Sequence, residues 1–313
     1  MNSKLHSLAT CFLLFAAPLF CQSGGIILTA GYTNPIPLRL SPGQVVTLYV
    51  AGIGPLAKSV SATGLPLPLT LGGISVSMIQ TYGPFGPFAV PLIHAVPFST
   101  CLSTGFGTVP CAEGAAITVQ IPFELIPNIP GQLGPPNVAR LTASDGTATS
   151  TAIDINPVPD QIHVLNGDDA LFIDSVSGGP MVTHANGTLV TTTAPATAGE
   201  ELVMYLVGLG STNPAVPTGA ASPRVAPITP NPPPLIGFDF RPNAVPMRPL
   251  PGSASPIFSG LTPGGVGLYQ VNFVVPPVPA GTATCTQTGS NLTVTVAGIT
   301  SFDGAAICVA TQH

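Results

Sequence analysis

Proline and glycine recur along the whole chain, and their spacing restricts the fold more than any other feature of the sequence. The 313 residues include 38 prolines and 35 glycines. A proline inside a helix removes a hydrogen-bond donor and clashes with the preceding turn, so long helices are excluded. After the N-terminal segment no run of about 20 apolar residues is free of such breaks, and a membrane-spanning helix is not expected. Hydrophobic residues still make up 45% of the chain and occur in strand-length runs, which predicts a folded β-rich protein.

The chain carries very little charge. Charged residues are 6% of the sequence and the formal net charge is −5, whereas about 25% charged residues is typical of soluble domains. A nucleic-acid-binding surface needs clustered Lys and Arg, but the 7 basic residues here are scattered. We therefore expect no nucleic-acid partner, and the same scarcity disfavours an anionic membrane surface.

Residues 1–23 have the pattern of a secretory signal peptide. Lys4 precedes the apolar run 8–20, and small or polar residues follow from Cys21 onward. The pattern predicts a secreted protein, extracellular or at the cell surface, with no transmembrane segment in the mature chain. A lipid attached to Cys21 is one alternative, although the bulky Phe20 before it fits such a site poorly. A retained anchor helix is another, although Pro18 and the short apolar run disfavour it.

Removal of the signal peptide leaves four of the 6 cysteines, which are Cys101, Cys111, Cys285 and Cys308. An even number of cysteines in an exported protein implies disulfides. Three pairings are open, and the pairs Cys101–Cys111 and Cys285–Cys308 are the simplest because they place one bridge in each half. Each bridge would stabilise the fold by about 3 kcal/mol in the chain-entropy model. A zinc site is the alternative, but it needs closer pairs or neighbouring histidines.

One segment of the sequence occurs twice. Residues 41–54 are repeated at 198–210, and four anchor positions keep one spacing. The matched anchors are Gly43 with Gly199, Tyr49 with Tyr205, Gly52 with Gly208, and Gly54 with Gly210. Four anchors at a shared offset favour two copies of one domain. Turn signals at 144–147 and 301–304, each flanked by strand-like runs, indicate that both copies close with a hairpin.

Short strand candidates bounded by Gly and Pro recur through both copies. They lie at 45–50, 74–80, 90–96, 116–122, 138–143 and 149–155 in the first copy and at 202–207, 268–275, 292–296 and 305–310 in the second. Many short strands without a periodic helix predict an all-β chain of two tandem antiparallel immunoglobulin-like β-sandwich domains with Pro/Gly-rich loops. A closed barrel is the alternative fold.

The predicted domain limits follow from the repeat. They are 24–165 for a first, diverged sandwich, 166–179 for a linker, and 180–313 for the second sandwich. Residues 161–165 are assigned to a last strand of the first domain. The proline-dense residues 212–256 are expected to form an extended, solvent-facing excursion.

The second copy carries a specific motif, Gly-Leu-Tyr-Gln-Val-Asn at 267–272, followed by Pro276. Together with Gly-Leu-Gly at 208–210 and a closing hairpin, it makes residues 182–310 resemble an uncharacterised C-terminal domain family of exported proteins of soil acidobacteria. The first copy is a diverged match, since it keeps Gly-Ile-Gly at 52–54 but not the longer motif. The resemblance implies a bacterial, secreted, β-rich module, and it implies no activity.

Residues with catalytic or metal-binding chemistry form no motif. No Gly-x-Ser-x-Gly or Ser-x-x-Lys pattern occurs, His94 lies in an apolar run that favours a structural role, and His163 and His184 lack metal-ligand spacing. The densest acidic group is Asp168, Asp169 and Asp174. A calcium loop needs alternating oxygen ligands, which the apolar residues 171–173 interrupt, so a solvated turn is favoured over calcium. We expect no metal, cofactor or catalytic residue.

Aromatic residues on two Gly/Pro-rich loops are the candidate recognition surface, and these residues are Tyr82, Phe85, Phe88, Phe238 and Phe240. The alternative is that buried rings pin the loops onto the sandwich.

Low charge, the lack of a catalytic motif and a duplicated fold predict a secreted, non-catalytic structural or adhesive module of the cell surface or extracellular matrix. Its partner would be a second copy, joined by strand addition into an oligomer or filament, or an extracellular polysaccharide. One alternative is a carbohydrate-binding module that uses the aromatic loops. A less favoured one is a hydrolase whose two acids, or Ser/His pair, are brought together only by the fold.

Overall fold

The structure, a computed structural model, describes residues 26–30, 38–53, 56–83, 86–100, 103–104, 107–108, 112–167, 169, 178–226, 228, 232–249, 253–286 and 289–311. None of these residues is helical, so this part of the chain has no helix that could span a membrane. The all-β prediction is confirmed. Several sequence-based assignments lie outside the described residues, namely the signal peptide at 1–23 with Cys21, and Cys101, Cys111, Phe85, Asp168 and Asp174.

The first half of the molecule comprises two main sheets and a small hairpin. Its strands are β1 (Ile26–Ala30), β2 (Leu38–Leu40), β3 (Val45–Ala51), β4 (Val60–Ser61), β5 (Thr70–Leu71), β6 (Ile74–Gln80), β7 (Phe88–Val90), β8 (Leu92–Thr100), β9 (Ser103–Thr104), β10 (Gly107–Thr108), β11 (Ala112–Gln120), β12 (Ala139–Ser144) and β13 (Ile153–Pro157). One sheet has the order β1-β3-β11-β8-β4, and the other has the order β2-β13-β12-β6-β5 with β7 beside β6. Within these two sheets the pairing is antiparallel except between β2 and β13.

The second half is built in the same way from fewer strands. They are β14 (His163–Val164), β15 (Val182–His184), β16 (Glu201–Val207), β17 (Leu235–Asp239), β18 (Phe258–Leu261), β19 (Tyr269–Val274), β20 (Leu292–Ala297) and β21 (Phe302–Ile307). One sheet has the order β14-β16-β19-β18, with β15 also paired to β16, and the other has the order β17-β20-β21. None of the described sheets closes on itself, which disfavours the barrel alternative.

The two main sheets of the first half enclose one hydrophobic core. Val46, Leu48 and Val50 occupy alternate positions of β3 and therefore share one face of the strand, and all three are fully buried. They form one cluster with Ile117 of β11 and with Leu141 of the opposite sheet. Burying each such side chain stabilises the fold by about 1.5–3 kcal/mol, so the inner faces hold the two sheets together.

A second core lies between the two sheets of the second half. Met204 of β16 and Phe273 of β19 contribute from one sheet, and Val294 and Val296 of β20 contribute from the other. The two cores are separate clusters of buried residues. Each half therefore has its own hydrophobic centre.

Most predicted strands are present. Strand β6 covers residues 74–80 as predicted, and β3, β16, β19 and β20 differ from their predicted limits by no more than one residue at either end. The hairpin turn predicted at 144–147 is also confirmed. Its Asp145 Oδ1 accepts hydrogen bonds from the N–H groups of Thr147 (2.8 Å) and Ala148 (2.7 Å).

Three local predictions are wrong. Residues 161–165 do not extend the first half, because β14 pairs with β16 and the Leu165 N–H donates to the Tyr205 carbonyl of the second half (3.0 Å). Residues 212–256 are not a wholly solvent-facing excursion, since they include β17, whose Ile236 is buried against β20. The closing turn of the second half lies at 298–301 rather than 301–304, because Phe302 already pairs with Ala297.

Candidate functional site

The segment that joins the halves is bound to the second half through Asp160. Its carboxylate accepts hydrogen bonds from the N–H groups of Ile299 (2.7 Å), Thr300 (3.1 Å) and Ser301 (2.8 Å) and from the Ser301 hydroxyl (2.7 Å). Asp160 is only 3% exposed, and hydrogen bonds to a charged group contribute about 1.5–3 kcal/mol each. This distant carboxylate therefore sets the closing turn at 298–301, which explains why the local Asp-Gly signal misplaced it.

His163 on β14 lies between two carboxylates. Its Nε2 is 3.1 Å from Asp169 Oδ1, and its Nδ1 is 3.3 Å from Asp303 Oδ2. Burial lowers the pKa of His163, but the hydrogen bonds and charges of the two aspartates outweigh burial and raise the pKa to about 9. At neutral pH an imidazolium therefore links β14, the turn at 166–169 and β21.

The geometry around His163 favours a structural link over a metal site. The two carboxylates contact opposite nitrogens of the ring, so the three side chains do not converge on one position. Within the described ranges no group of three or more His, Cys, Asp or Glu is arranged to hold a metal ion. Of the acidic group considered for calcium, Asp169 is described, and it contacts His163 and the Asn166 N–H (2.6 Å).

A hydrogen-bonded junction connects the two halves. Thr218 Oγ1 accepts from the Phe123 N–H (2.9 Å) and donates to Glu124 (2.6 Å). The next residue, Gly219, donates its N–H to Oε1 of the buried Gln120 (2.7 Å). Residues 218–219 of the second half are therefore fixed to the end of β11 and the turn that follows it.

The Gly-Leu-Tyr-Gln-Val-Asn motif forms another part of this junction. A Cβ on Gly267 would be 2.6 Å from the Gly43 carbonyl oxygen, which is closer than such atoms can approach. Nearby, Val45, Leu165 and Val207 from both halves form a small buried cluster. The first glycine of the motif is therefore required for the close approach of the two halves.

The tyrosine of the motif connects it to the Gly-Leu-Gly segment. Tyr269 is fully buried, and its hydroxyl donates a hydrogen bond to the Gly210 carbonyl. Burial raises the pKa of Tyr269 above its ordinary range, so the hydroxyl remains a donor. The two parts of the motif recognised in the sequence thus form one packing unit.

A groove of about 380 Å³ lies between the halves beside Asp160. Pro127 and Ile129 line it from the first half, and Leu209, Pro234 and Ile299 are among the residues that line it from the second. Its size falls within the range of about 300–1,000 Å³ that is usual for small-molecule sites. We call it the seam groove.

The aromatic residues proposed for recognition have different surroundings. Tyr82 is exposed (41%), whereas Phe88 packs against the first core and Phe240 against the second. Phe238 also packs against the second core, with its ring 5.9 Å from that of Phe273. These placements favour rings that pin their loops, and the recognition role itself stays a prediction.

Two further histidines make close polar contacts. His94 Nδ1 lies 3.0 Å from the Ser61 hydroxyl across β8 and β4, and no carboxylate of the described residues contacts this imidazole. His184 Nδ1 lies 2.5 Å from Glu200 Oε1, and this hydrogen bond raises the pKa of His184. Nucleophilic catalysis usually needs the base to be oriented by a third group, and neither pair lines the seam groove.

The predicted disulfide of the second half is present. Cys285, which follows β19, is bonded to Cys308 at the end of β21. The bridge closes a segment with a sequence separation of 23 residues, so it ties the strand that ends the second half to the loop before β20.

No protein-family model matches this chain, and no curated protein matches it. The family resemblance therefore stays a prediction. Sequence reasoning missed both Asp160 and the seam groove, because their partners come from segments far apart in the chain. The one local signal was an acidic residue just after Pro159, with no charged neighbour to explain it.

Proposed function

We propose that this chain is an exported, non-catalytic structural or adhesive module made of two tandem immunoglobulin-like sandwiches. The observation that carries the proposal is the strand order. In immunoglobulin constant domains the strands A to G form one sheet in the order A-B-E-D and another with C, F and G. The first half matches this as β1-β3-β11-β8 and β6-β12-β13, and the second half matches it as β15-β16-β19-β18 and β17-β20-β21.

The first strand of each half supports the same topology. In the first half β1 pairs with β3, and the chain then crosses to the other sheet, where β2 runs parallel to the last strand β13. In the second half β15 pairs with β16, and Ala196 then bridges Val309 in parallel just after the last strand. Both halves therefore change sheets at the same point of the chain.

A repeated turn supports descent from one duplicated domain. In the first half the Ser41 N–H donates to Gln44 Oε1 (2.9 Å), and in the second half the Thr197 N–H donates to Glu200 Oε2 (2.8 Å). The following glycines donate to equivalent carbonyls, Gly43 to Ile121 (3.0 Å) and Gly199 to Val275 (2.8 Å). These paired contacts and the motif at 267–272 support our proposal that both halves belong to the C-terminal domain family of exported acidobacterial proteins.

A structural role is supported by the way the halves are connected. Asp160, the contacts of Thr218 and Gly267, and the His163 link fix the joining segment and the junction at several points. The disulfide is of the kind that persists in oxidising compartments. We propose cell-surface or matrix localisation, with a second copy of the chain or an extracellular polysaccharide as the partner.

Export and attachment can be tested together with the full chain. Expressed in a diderm bacterium, the protein should lose its N-terminal segment, leave the cytoplasm and remain with the cell envelope or matrix after washing. Purified protein should sediment with isolated matrix polysaccharide or should self-associate in size-exclusion chromatography. Cytoplasmic retention would overturn the proposal.

A hydrolase assay tests whether the protein lacks catalytic activity. Turnover of ester and glycoside substrates should equal that of buffer, and the His94→Gln variant should be indistinguishable from the parent. A turnover by the parent that His94→Gln abolishes would instead establish a hydrolase built on Ser61 and His94.

A further inference from the structure

We propose that the seam groove binds a small amphipathic carboxylate, with its apolar body against the groove wall and its head group at Arg39 and Arg248. This inference goes beyond the structural role, because it gives the molecule a small-molecule ligand. The wall of the groove is apolar, the carboxylate of the one acid in it is already hydrogen-bonded, and two arginines contact a turn that forms part of the wall.

The wall of the groove offers apolar contact from both halves. Ile129 contributes from the first half, and Leu209, Pro234 and Ile299 contribute from the second. Ile129 is 57% exposed and Ile299 is 53% exposed, so both halves present aliphatic surface to water in the groove. An alkyl chain in the groove would remove this surface from water, at about 25 cal/mol for each Å² buried.

Asp160 is the one ionisable residue among the described residues that line the groove. Its oxygens already accept hydrogen bonds from the turn at 298–301, and the residue is nearly inaccessible. A cationic ligand would therefore find no free carboxylate there, and the N–H donors that surround Asp160 offset its negative charge.

Two arginines contact the same turn. Arg248 Nη1 donates to the Gly298 carbonyl (2.8 Å), and Arg39 Nη2 donates to the Thr300 carbonyl (3.4 Å). The chain has only 7 basic residues, and two of them contact this one four-residue turn. Gly298 and Ile299 of that turn line the groove. The two guanidinium groups do not line the groove themselves, and because they contact this turn we take them as its rim.

The chemistry of the rim selects the head group of the ligand. A guanidinium has five N–H donors in a planar fork that matches a carboxylate, and each bond to the turn uses one of them. Both arginines are exposed, so their remaining donors can reach a ligand. An uncharged ligand would leave these donors to water, and a cation would be repelled.

The binding test uses purified full-length protein and three probes with the same alkyl chain, namely dodecanoate, dodecanol and dodecyltrimethylammonium. The two ionic probes are kept below their micelle concentrations, and dodecanol is kept below its solubility limit. Isothermal titration should show saturable binding of one dodecanoate per chain. Dodecanol should bind at least about tenfold more weakly because it lacks the charge-assisted hydrogen bonds, and the ammonium should bind more weakly still. Non-saturable uptake of dodecanoate, or equal affinity for all three probes, would overturn the proposal.

Variants locate the site. Arg39→Gln and Arg248→Gln should each weaken dodecanoate binding by about tenfold and leave dodecanol binding unchanged, since one charge-assisted hydrogen bond is lost in each. The matched control is Arg140→Gln, because Arg140 is an exposed arginine paired with Asp154 (2.7 Å) and neither residue lines the groove; it should leave binding unchanged. Ile299→Glu places a carboxylate on the exposed wall and should abolish dodecanoate binding in a protein with unchanged far-ultraviolet circular dichroism. Parent affinity in Ile299→Glu, or equal effects of all three arginine variants, would show binding elsewhere.

Discussion

The two halves use one backbone turn in two different surroundings. Gln44 and Glu200 occupy equivalent places in it, and each accepts a hydrogen bond from the residue three positions before. Gln44 is fully buried and carries no charge, whereas Glu200 is half-buried and pairs with His184. The backbone arrangement is thus the same in both halves, while the side-chain chemistry follows the local burial. The covered turn has a neutral amide, and the turn that meets solvent has a paired acid.

The closing hairpins differ in a more consequential way. In the first half Asp145 caps its own turn through the N–H groups of Thr147 and Ala148. In the second half the turn at 298–301 is capped by Asp160, which lies about 140 residues earlier in the chain. The first turn is therefore stabilised locally, and the second depends on the docking of the joining segment.

Separate replacement of the two capping aspartates should give the largest difference in lost stability between the halves. Asp160→Ala removes the acceptor of three partly buried N–H groups and of the Ser301 hydroxyl, and we expect it to lower the free energy of unfolding of the second half by about 4 kcal/mol. Asp145→Ala leaves its N–H groups open to water and should cost about 1 kcal/mol. Urea denaturation with peptide-resolved hydrogen exchange checks both values, and equal losses would contradict the distinction.

High pH should destabilise the second half selectively through His163. The folded pKa of about 9 lies above the unfolded value of about 6.5. The stabilisation is therefore complete below pH 6.5 and is lost as the pH rises through 9, up to about 3 kcal/mol. Hydrogen exchange at pH 6 and pH 9.5 should show loss of protection at β14 and β21 and little change in β3. His163→Gln should abolish this dependence, and its persistence in that variant would exclude His163 as the cause.

Reduction of the disulfide should also act on the second half. The 23-residue separation between Cys285 and Cys308 corresponds to a stabilisation of about 3 kcal/mol from the restricted unfolded chain. The double variant Cys285→Ser, Cys308→Ser should therefore unfold its second half at lower urea, and added reductant should not change that midpoint further. A midpoint equal to that of the oxidised parent would refute the assignment.

Alanine substitutions at two equivalent glycines should lower the free energy of unfolding by amounts that differ by about 2 kcal/mol. Gly43 (φ 71°) and Gly199 (φ 83°) both adopt left-handed backbone conformations, so alanine costs about 1 kcal/mol at either place. A Cβ at Gly43 would also overlap the Phe123 ring, whereas a Cβ at Gly199 meets nothing within 4 Å. We expect losses of about 3 and about 1 kcal/mol in urea denaturation, because only Gly43→Ala overpacks the junction. Equal losses would show that Phe123 moves freely.

Local patterns predicted the parts of the fold that local forces determine. Strand β3 and the Asp145 turn follow from neighbouring residues, and both were predicted correctly. Strand β14 was assigned to the wrong half because its two residues pair with a strand some 40 positions later, a choice that hydrophobic pattern cannot make. The turn at 298–301 was misplaced for the same reason, since Asp160 outweighs the local preference of Asp303 and Gly304.

The candidate site was less accessible to sequence reasoning than the fold. Cys285 and Cys308 were found by counting, and Tyr269 was singled out by its motif. Arg39, Asp160, Arg248 and Ile299 come from different segments and share no pattern. Their proximity depends on the packing of the two halves, which is a product of tertiary contacts alone.

Phe123 shows how far the two halves have come to depend on each other. It follows β11 of the first half, yet its ring packs against the core of the second, and its N–H is bonded to Thr218. A gene fragment that encoded the first half alone would expose to water the side of the Phe123 ring that packs against the second core. The second half alone would have a gap where that ring belongs. Recombination would therefore move the two halves into a new gene as a unit, whereas exchange of one half would require Phe123 and its neighbours to change first.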